Sequence, residues 1–435
     1  MRIVQLIPSA GESFYCENCL RDLALVKAMR ALGHDVITVP MYLPLRVEGE
    51  ESGASAPIFF GGVNVYLQQK LALFRKTPRW IDRIFDRPGL LAWASRKAGM
   101  TSAKDLGETT VSMLQGEDGR QVKELNRLID WLRPAENRPE VVCLSNAMLS
   151  GLARRIKAEL GVAVVCMLQD EDGFLDGLAE PYAGQAWGII AERTADVDAF
   201  IAVSKYYAGV MQERLKIVAE RLHTVYMGVA TQDYQLPAER PDVPTVGFLS
   251  RACYDKGLDT LVEAFIRLKK NEKLRDARLR IAGGQTENDK SLIRSVCRRL
   301  AAEGVIDDVE FVGGFGRQER IAFLRSLSVL CVPERKPVAA GLYVFEALAA
   351  GVPVVEPENG VFPELLEATG GGAMYAPGDE AALAGALESL LLDGDYAEKI
   401  GSQARDVVFA KFDIGQTAKE MVRVFELAMQ NLTRG

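Results

Sequence analysis

Two cationic side chains lie five residues apart in a loop that follows a strand-like run. The run Gly247–Ser250 leads into Arg251, and Asp255-Lys256-Gly257 precedes the next helical segment. Arginine binds phosphate oxygens as a planar fork and lysine binds them as a point charge, so the pair suits a diphosphate. The alternative is two solvated loop cations, which is what most Arg and Lys residues are.

Glycines follow three further strand-like runs, as Gly283-Gly284, Gly313-Gly314 and Gly341. A helix is predicted to open near Gly341, and a helix N-terminus offers unpaired N–H groups and the positive end of its dipole. The backbone of Gly341–Tyr343 therefore suits a phosphate. Glu346 follows within the same helix, where its carboxylate can accept hydrogen bonds from sugar hydroxyls.

In the first half of the chain, Gln169, Asp170, Glu171 and Asp172 follow the apolar run Val162–Leu168. Carboxylates at the end of a strand can position acceptor hydroxyls or supply a base. A solvated acidic loop is the equally weighted alternative.

Histidine and cysteine give little support for a metal site. His34 and His223 are the only histidines, which excludes a His-rich site, and both are predicted to be structural. Cys16 and Cys19 have zinc-like spacing without a second pair, so we predict a helix start with two thiols and no metal.

Composition narrows the possible partners and compartments. The net charge of −7 argues against a nucleic-acid-binding surface. Seven scattered cysteines suit free thiols in a reducing cytoplasm, and no secretory leader or membrane span is evident.

Residues 64–104 reverse the charge locally, with nine cations against Asp82 and Asp86 and with interleaved aromatics. This pattern predicts peripheral contact with an anionic lipid surface at the inner membrane face, or with an anionic acceptor. The favoured alternative is a solvated helical insert whose aromatics turn inward. The cations are Lys70, Arg75, Lys76, Arg79, Arg83, Arg87, Arg96, Lys97 and Lys104.

Alternating strands and helices predict an α/β protein with parallel sheets. We expect a domain at 1–227, a Pro-rich linker at 228–244, a second domain at 245–412 and a closing helix at 413–435. Ile58–Gln68 alternates in polarity like a strand pair. The expected strands are Arg2–Ile7, Asp35–Pro40, Val141–Leu144, Val162–Leu168, Ala199–Val203, Thr245–Leu249, Leu279–Ala282, Val309–Val312, Val329–Val332 and Val352–Val355.

In order and spacing, the segment from 245 to 412 resembles the C-terminal domain of family-4 retaining glycosyltransferases. The matching pieces are a strand ending in Arg251, then Lys256-Gly257, Gly283-Gly284 and Glu346-Ala-Leu-Ala-Ala-Gly-Val-Pro-Val. The first domain is similar more loosely, through its βαβ start, Gly33-His34-Asp35-Val36 and Ser204. The resemblance implies the GT-B fold, with two Rossmann-like doubly wound domains facing a cleft and a C-terminal helix that crosses back to the first domain.

The resemblance also implies a metal-independent hexosyltransferase that uses a nucleoside diphosphate sugar, retains configuration and needs no cofactor. Arg251 and Lys256 would stabilise the leaving diphosphate, and Glu346 would hold the ribose. The acceptor, a glycan or a lipid-linked molecule, would meet the first domain near Gln169–Asp172. The remaining implied donor contacts are Gly11, Gly314, Phe315, Gly341, Leu342 and Tyr343.

One position departs from the family pattern. Val338 stands where the family places the first of two acidic residues, which touches donor-sugar hydroxyls, and valine cannot accept a hydrogen bond. Glu334 lies four residues upstream and is a candidate replacement. The departure keeps two alternatives open: a nucleotide-binding partner subunit with impaired catalysis, and an epimerase or hydrolase of the same fold.

Overall fold

The computed structural model describes residues 1–8, 15–42, 57–75, 77, 103–234 and 241–434. The chain forms two compact units. Unit 1 comprises Met1–Gly11, Asp22–Tyr226 and Ala418–Gly435, and unit 2 comprises Glu12–Arg21 and Met227–Thr417. The segment Glu12–Arg21 thus counts with unit 2, although it lies within the domain predicted at 1–227.

In the described part of unit 1, six parallel strands form one sheet in the order β2-β1-β3-β4-β5-β6. The central strands are buried on both faces, which explains why they are apolar runs without alternation. The strands are β1 Arg2–Ile7, β2 Asp35–Pro40, β3 Val141–Leu144, β4 Ala163–Leu168, β5 Ala199–Ala202 and β6 Leu222–Thr224.

The α-helices described in this half of the chain lie between these strands in sequence. Ser204 caps one of them, because its hydroxyl accepts a hydrogen bond from the Tyr207 N–H. The helices are α1 Glu17–Ala31, α2 Gly62–Lys70, α3 Ala103–Leu114, α4 Val122–Leu132, α5 Ala153–Leu160, α6 Glu171–Leu175, α7 Tyr182–Arg193 and α8 Lys205–Leu215.

The described part of unit 2 also holds a parallel six-stranded sheet, in the order β12-β11-β10-β7-β8-β9. Its order reverses at β7, as in doubly wound Rossmann-like sheets. The strands are β7 Thr245–Leu249, β8 Arg278–Ala282, β9 Val309–Phe311, β10 Val329–Leu330, β11 Val354–Pro357 and β12 Gly372–Tyr375.

The helices that follow β7 complete the second fold. The last helix begins in unit 2, and its residues from Ala418 onward count with unit 1. The helices are α9 Leu258–Leu268, α10 Lys290–Ala302, α11 Arg317–Leu324, α12 Leu342–Ala349, α13 Phe362–Thr369, α14 Glu380–Leu392, α15 Gly394–Lys411 and α16 Ile414–Arg434. No helix in these ranges is both long enough and apolar enough to cross a bilayer.

The expected strand pair at Ile58–Gln68 is wrong, because Gly62–Lys70 forms α2. Asn64 and Gln68 are buried along with Val65, so the inward face of the helix carries polar side chains. Gln68 donates a 2.8 Å hydrogen bond to Glu124, which compensates its burial. A pattern of apolar residues alone does not reveal such a face.

Several described elements were not predicted, among them the strand β12 and the helices α3, α6, α7 and α13. β12 is short and contains the small residues Gly372 and Ala373. The sequence predicts a strand just after His223, whereas His223 itself lies within β6.

Candidate functional site

The loops that carry the predicted donor residues lie at one edge of the unit 2 sheet. Arg251 follows β7, Gly283 follows β8 and Glu334 follows β10, and the carboxyl ends of parallel strands meet at the same edge. Gly283 has a φ of 116° and Gly284 one of 75°. A side chain at Gly283 would overlap the Ser250 carbonyl, so glycine lets the two loops approach closely.

Arg251 is held by an acidic residue of the loop before α10. Its Nε donates to Asp289 Oδ2 at 2.9 Å, and its second nitrogen donates to Asp289 Oδ1 and to Thr286 at 3.0 Å each. Burial alone would raise the pKa of Asp289, but the hydrogen bonds from Arg251 and Thr286 outweigh burial and hold this pKa below its ordinary value. The guanidinium is therefore oriented as a fork before any ligand binds.

Lys256 pairs with Glu334, which lies four residues upstream of Val338. The Lys256 Nζ lies 2.5 Å from Glu334 Oε1, and Glu334 is 4% exposed. Gly257, with a φ of 68°, brings the Lys256 turn against the Pro333 carbonyl, where a side chain would collide. Val338 is half-buried, and its carbonyl accepts a 3.1 Å hydrogen bond from the Val361 N–H.

The N-terminus of α12 already binds an anion. The Leu342 N–H donates to Glu17 Oε2 at 2.6 Å, and Glu17 belongs to the segment that counts with unit 2. A carboxylate therefore lies where the sequence predicts a phosphate. Tyr343 contributes only its backbone to this end of the helix, because its buried hydroxyl donates to Glu356 at 3.2 Å.

Glu346 is 3% exposed, and both of its oxygens accept hydrogen bonds. Oε2 accepts from the Tyr15 hydroxyl at 2.8 Å, while Oε1 accepts from Arg320 Nε at 3.1 Å and from the Tyr234 hydroxyl at 3.2 Å. Burial, reinforced by the charge of Glu346, raises the pKa of Tyr15 and of Tyr234, so both phenols stay protonated donors.

Tyr15 connects this network to the β8 loop. Its N–H donates to the Gly283 carbonyl at 2.7 Å, while its hydroxyl reaches Glu346. The structure thus brings together the paired glycines, the N-terminus of α12 and Glu346. Sequence reasoning missed Tyr15, Glu17, Arg320 and Tyr234, because no local pattern links residues 15–17 to residues 342–346.

Gly314 and Phe315 precede α11. Gly314 is exposed and Phe315 half-exposed, and the Phe315 carbonyl accepts a 2.8 Å hydrogen bond from Arg320. The Arg320 guanidinium therefore connects the loop of the predicted donor contacts Gly314 and Phe315 with Glu346, the predicted ribose-binding carboxylate.

The acidic loop after β4 in unit 1 is ordered by its own hydrogen bonds. Glu171, 1% exposed, accepts from the N–H groups of Gln169 at 2.7 Å and Ala147 at 2.9 Å and from the Tyr207 hydroxyl at 2.9 Å. Burial raises the pKa of Glu171 to about 7 despite these bonds. Gln169 is buried too and donates to the Ser145 carbonyl.

The solvated-loop alternative is therefore wrong for Gln169 and Glu171. Asp170 and Asp172 remain half-exposed, and Asp172 accepts a 2.9 Å hydrogen bond from the Tyr207 hydroxyl.

Two predictions fall largely on residues that are not described. Gly11 and most of the basic segment 64–104 lie outside the described ranges. Within those ranges, no group of three or more His, Cys, Asp or Glu residues is arranged to hold a metal ion.

Family comparisons match two adjoining segments of the chain. Residues 232–407 match the model of Glycosyl transferases group 1, and residues 108–233 match that of Glycosyltransferase Family 4. A phosphatidyl-myo-inositol mannosyltransferase of Mycobacterium leprae is 31% identical over 185 residues, which is 42% of this chain and 46% of that protein. The chain spans about half the length of the curated relatives it matches.

Solved glycosyltransferase structures share the fold over the whole chain. Sucrose-phosphate synthase from Thermosynechococcus elongatus has a TM-score of 0.72 at 16% identity, covering 99% of both chains. Anabaena HepE in complex with UDP has a TM-score of 0.68 at 14% identity, covering 98% of this chain and 100% of that one. With the two parallel six-stranded sheets, this likeness confirms the predicted two-domain Rossmann-like GT-B fold.

Proposed function

We propose that this protein is a glycosyltransferase that moves a sugar from a nucleoside diphosphate to an acceptor hydroxyl. One observation carries the proposal: the Leu342 N–H at the start of α12 already binds the carboxylate of Glu17. That anion position adjoins Glu346 and the β8 loop through Tyr15, and the loops bearing Arg251 and Lys256 lie at the same sheet edge. The two family matches support the same conclusion.

In this proposal, unit 2 stabilises the leaving group. The departing diphosphate gains negative charge, and Arg251 and Lys256 stabilise it together with the N–H groups of α12. Asp289 and Glu334 hold the two cations in place before the donor arrives, so little reorganisation is needed. Glu346 would accept a bond from a ribose hydroxyl in place of Tyr15.

The finer chemistry follows from the family resemblance. We propose same-face substitution with retention of configuration, in which the donor phosphate helps to deprotonate the acceptor and no metal is required. In unit 1, Asp170 and Asp172 are half-exposed and would meet the acceptor, whereas buried Gln169 and Glu171 fix the loop. A glycan or lipid-linked acceptor is proposed, since the mannosyltransferase relative is named for a phosphatidyl-inositol substrate.

The first test is binding followed by turnover. UDP, GDP and ADP should each be added in a thermal-shift assay, with the matching nucleosides as controls that lack the diphosphate. We expect one diphosphate to raise the melting temperature and the nucleosides to leave it unchanged. The corresponding nucleotide sugars should then release nucleoside diphosphate, whereas no binding by any diphosphate would refute the proposal.

Val338 favours a second candidate, a partner subunit that binds nucleotide without turnover. Neither the valine side chain nor Glu334, which pairs with Lys256, repeats the family's acid at this position. The variant Val338→Glu, compared with Val338→Gln as an uncharged control, separates the candidates. Donor hydrolysis that appears only in V338E would favour the partner subunit, and release by the unmodified protein would favour the enzyme.

A further inference from the structure

We propose that Cys16 and Cys19 form a reversible thiol–disulfide site that fixes Glu17 on the N-terminus of α12 and so closes the anion position there. The consequence for the donor rests on the proposed function, because the excluded ligand is a nucleoside diphosphate. The chemical site itself depends only on the described residues 15–19 and on Leu342.

The two thiols are already adjacent. The Sγ atoms of Cys16 and Cys19 lie 2.8 Å apart, and neither residue forms a disulfide. Both residues are half-exposed, so a small oxidant can reach them. Cys16 immediately precedes α1 and Cys19 lies in its first turn, a position that favours the reactive thiolate form.

Four of the five other cysteines are less suited to this chemistry. Cys143, Cys166 and Cys331 are buried, and burial raises the pKa of Cys166 and Cys331 well above its ordinary value. Burial likewise raises the pKa of Cys253. A higher pKa leaves less of the nucleophilic thiolate at neutral pH.

Glu17, between the two thiols, and Tyr15, beside Cys16, make the contacts that occupy the proposed donor site. Glu17 lies inside the four-residue Cys16–Cys19 segment, and its carboxylate accepts the Leu342 N–H at 2.6 Å. Tyr15, on the other side of Cys16, bonds both the Gly283 carbonyl and Glu346. Anything that fixes Cys16 to Cys19 therefore also restricts the two side chains that occupy the proposed donor site.

The Glu17 carboxylate and a phosphate compete for the same N–H groups. A helix N-terminus favours either anion, and a diphosphate must displace Glu17 to bind there. The two sulfurs are adjacent in the conformation in which Glu17 accepts the Leu342 N–H. A disulfide between them would therefore stabilise the first turn of α1 in that conformation. Oxidation should therefore weaken diphosphate binding, and reduction should restore it.

The redox step is thiol–disulfide exchange with a small-molecule disulfide such as oxidised glutathione. One thiolate attacks the oxidant and forms a mixed disulfide, and one glutathione thiol leaves. The second thiolate then attacks the protein sulfur of that bond and releases the second glutathione thiol. The two cysteine thiols lose two protons and two electrons, and the oxidant becomes two thiols.

The test begins with the full chain treated with oxidised glutathione. Peptide mass mapping should find Cys16 joined to Cys19, with the loss of two hydrogen atoms. Hydrogen–deuterium exchange at the peptide containing Leu342 should then be several-fold slower in the oxidised protein. In C16S/C19S, oxidised glutathione should not change Leu342 exchange, whereas C297S should respond like the unmodified protein. E17A should still form the disulfide, but oxidation should no longer slow its Leu342 exchange.

Nucleotide titration separates this proposal from the proposed function. With the best nucleoside diphosphate of the thermal panel, the oxidised protein should bind at least about fivefold more weakly than the reduced one, as expected for about 1 kcal/mol of added competition. If oxidation slows Leu342 exchange but neither the oxidised nor the reduced protein binds a nucleotide, the proposed function is wrong and the thiol site is still supported. Equal affinity in both states, or a disulfide that leaves Leu342 exchange unchanged, would overturn the switch.

Discussion

Each unit buries a carboxylate at the carboxyl edge of its sheet, but the two are compensated differently. Glu171 of unit 1 is bonded by two backbone N–H groups and by Tyr207, and burial raises its pKa to about 7. Glu346 of unit 2 is equally inaccessible, but it also faces the guanidinium of Arg320 at 3.1 Å.

The difference between Glu171 and Glu346 is the cation beside Glu346. The network around Glu171 supplies only dipoles, so the ionised carboxylate is held at a cost. The unit 2 edge supplies Arg320, Arg251 and Lys256, each of them paired with a carboxylate of the same unit. An edge that already neutralises carboxylates with cations is suited to bind a more highly charged anion.

The largest effect should come from removing the cation that distinguishes the two sites. Arg320→Ala leaves Glu346 buried with two phenols and no countercharge, which should lower the free energy of unfolding by about 3–5 kcal/mol. Urea unfolding measures this loss. Arg320→Met combined with Glu346→Gln should recover much of it, because the buried charge is removed, and an unchanged stability in R320A would show that the ion pair contributes nothing.

The next-largest effect is expected at Glu171, which is bonded only by N–H groups and a hydroxyl. The pKa of Glu171 is raised on folding, so the folded state holds its proton more tightly and stability falls as pH rises from about 4.5 through 7. The stability of the unmodified protein relative to Glu171→Gln should therefore fall by about 3 kcal/mol between pH 4 and pH 8. Comparing the two proteins by urea unfolding across this range cancels the groups they share, and a flat difference would contradict the raised pKa.

The smallest effect tests the phenol that supports Glu171. Tyr207→Phe removes the hydroxyl that donates to both Glu171 and Asp172 and should cost about 1–2 kcal/mol of stability at pH 7. Because the lost bond favoured the ionised form, the pKa of Glu171 should rise further and the pH-dependent fall should extend to higher pH. Tyr66→Phe removes the hydroxyl of an exposed tyrosine in α2 and serves as the control, for which we expect a change below about 0.5 kcal/mol.

The sequence predicted the parts of this molecule that local pattern determines. Buried parallel strands are apolar runs, so most strands were located to within two residues, and the loops bearing Arg251 and Lys256 follow from them. The carboxyl ends of those strands converge whatever the details of the loops.

Contacts between distant loops could not be predicted in the same way. Glu17 and Leu342 are 325 positions apart, and Arg320 reaches Glu346 from a different helix. Such pairs depend on strand order and on close approach at glycines such as Gly283, which single-sequence patterns do not encode. The prediction of a strand pair at Ile58–Gln68 failed for a related reason. Gln68 can be buried in α2 only because Glu124 accepts its hydrogen bond.

The most direct test of the account is the affinity of R251A/K256A for the nucleoside diphosphate that stabilises the unmodified protein. Isothermal titration calorimetry should show a loss of about 100-fold or more, since each charge-assisted contact contributes about 1.5–3 kcal/mol. R298A/K270A removes one exposed arginine and one exposed lysine of the same unit and should bind normally. If R251A/K256A binds the nucleotide as tightly as this control does, the two cations do not hold a diphosphate and the proposed donor site is wrong.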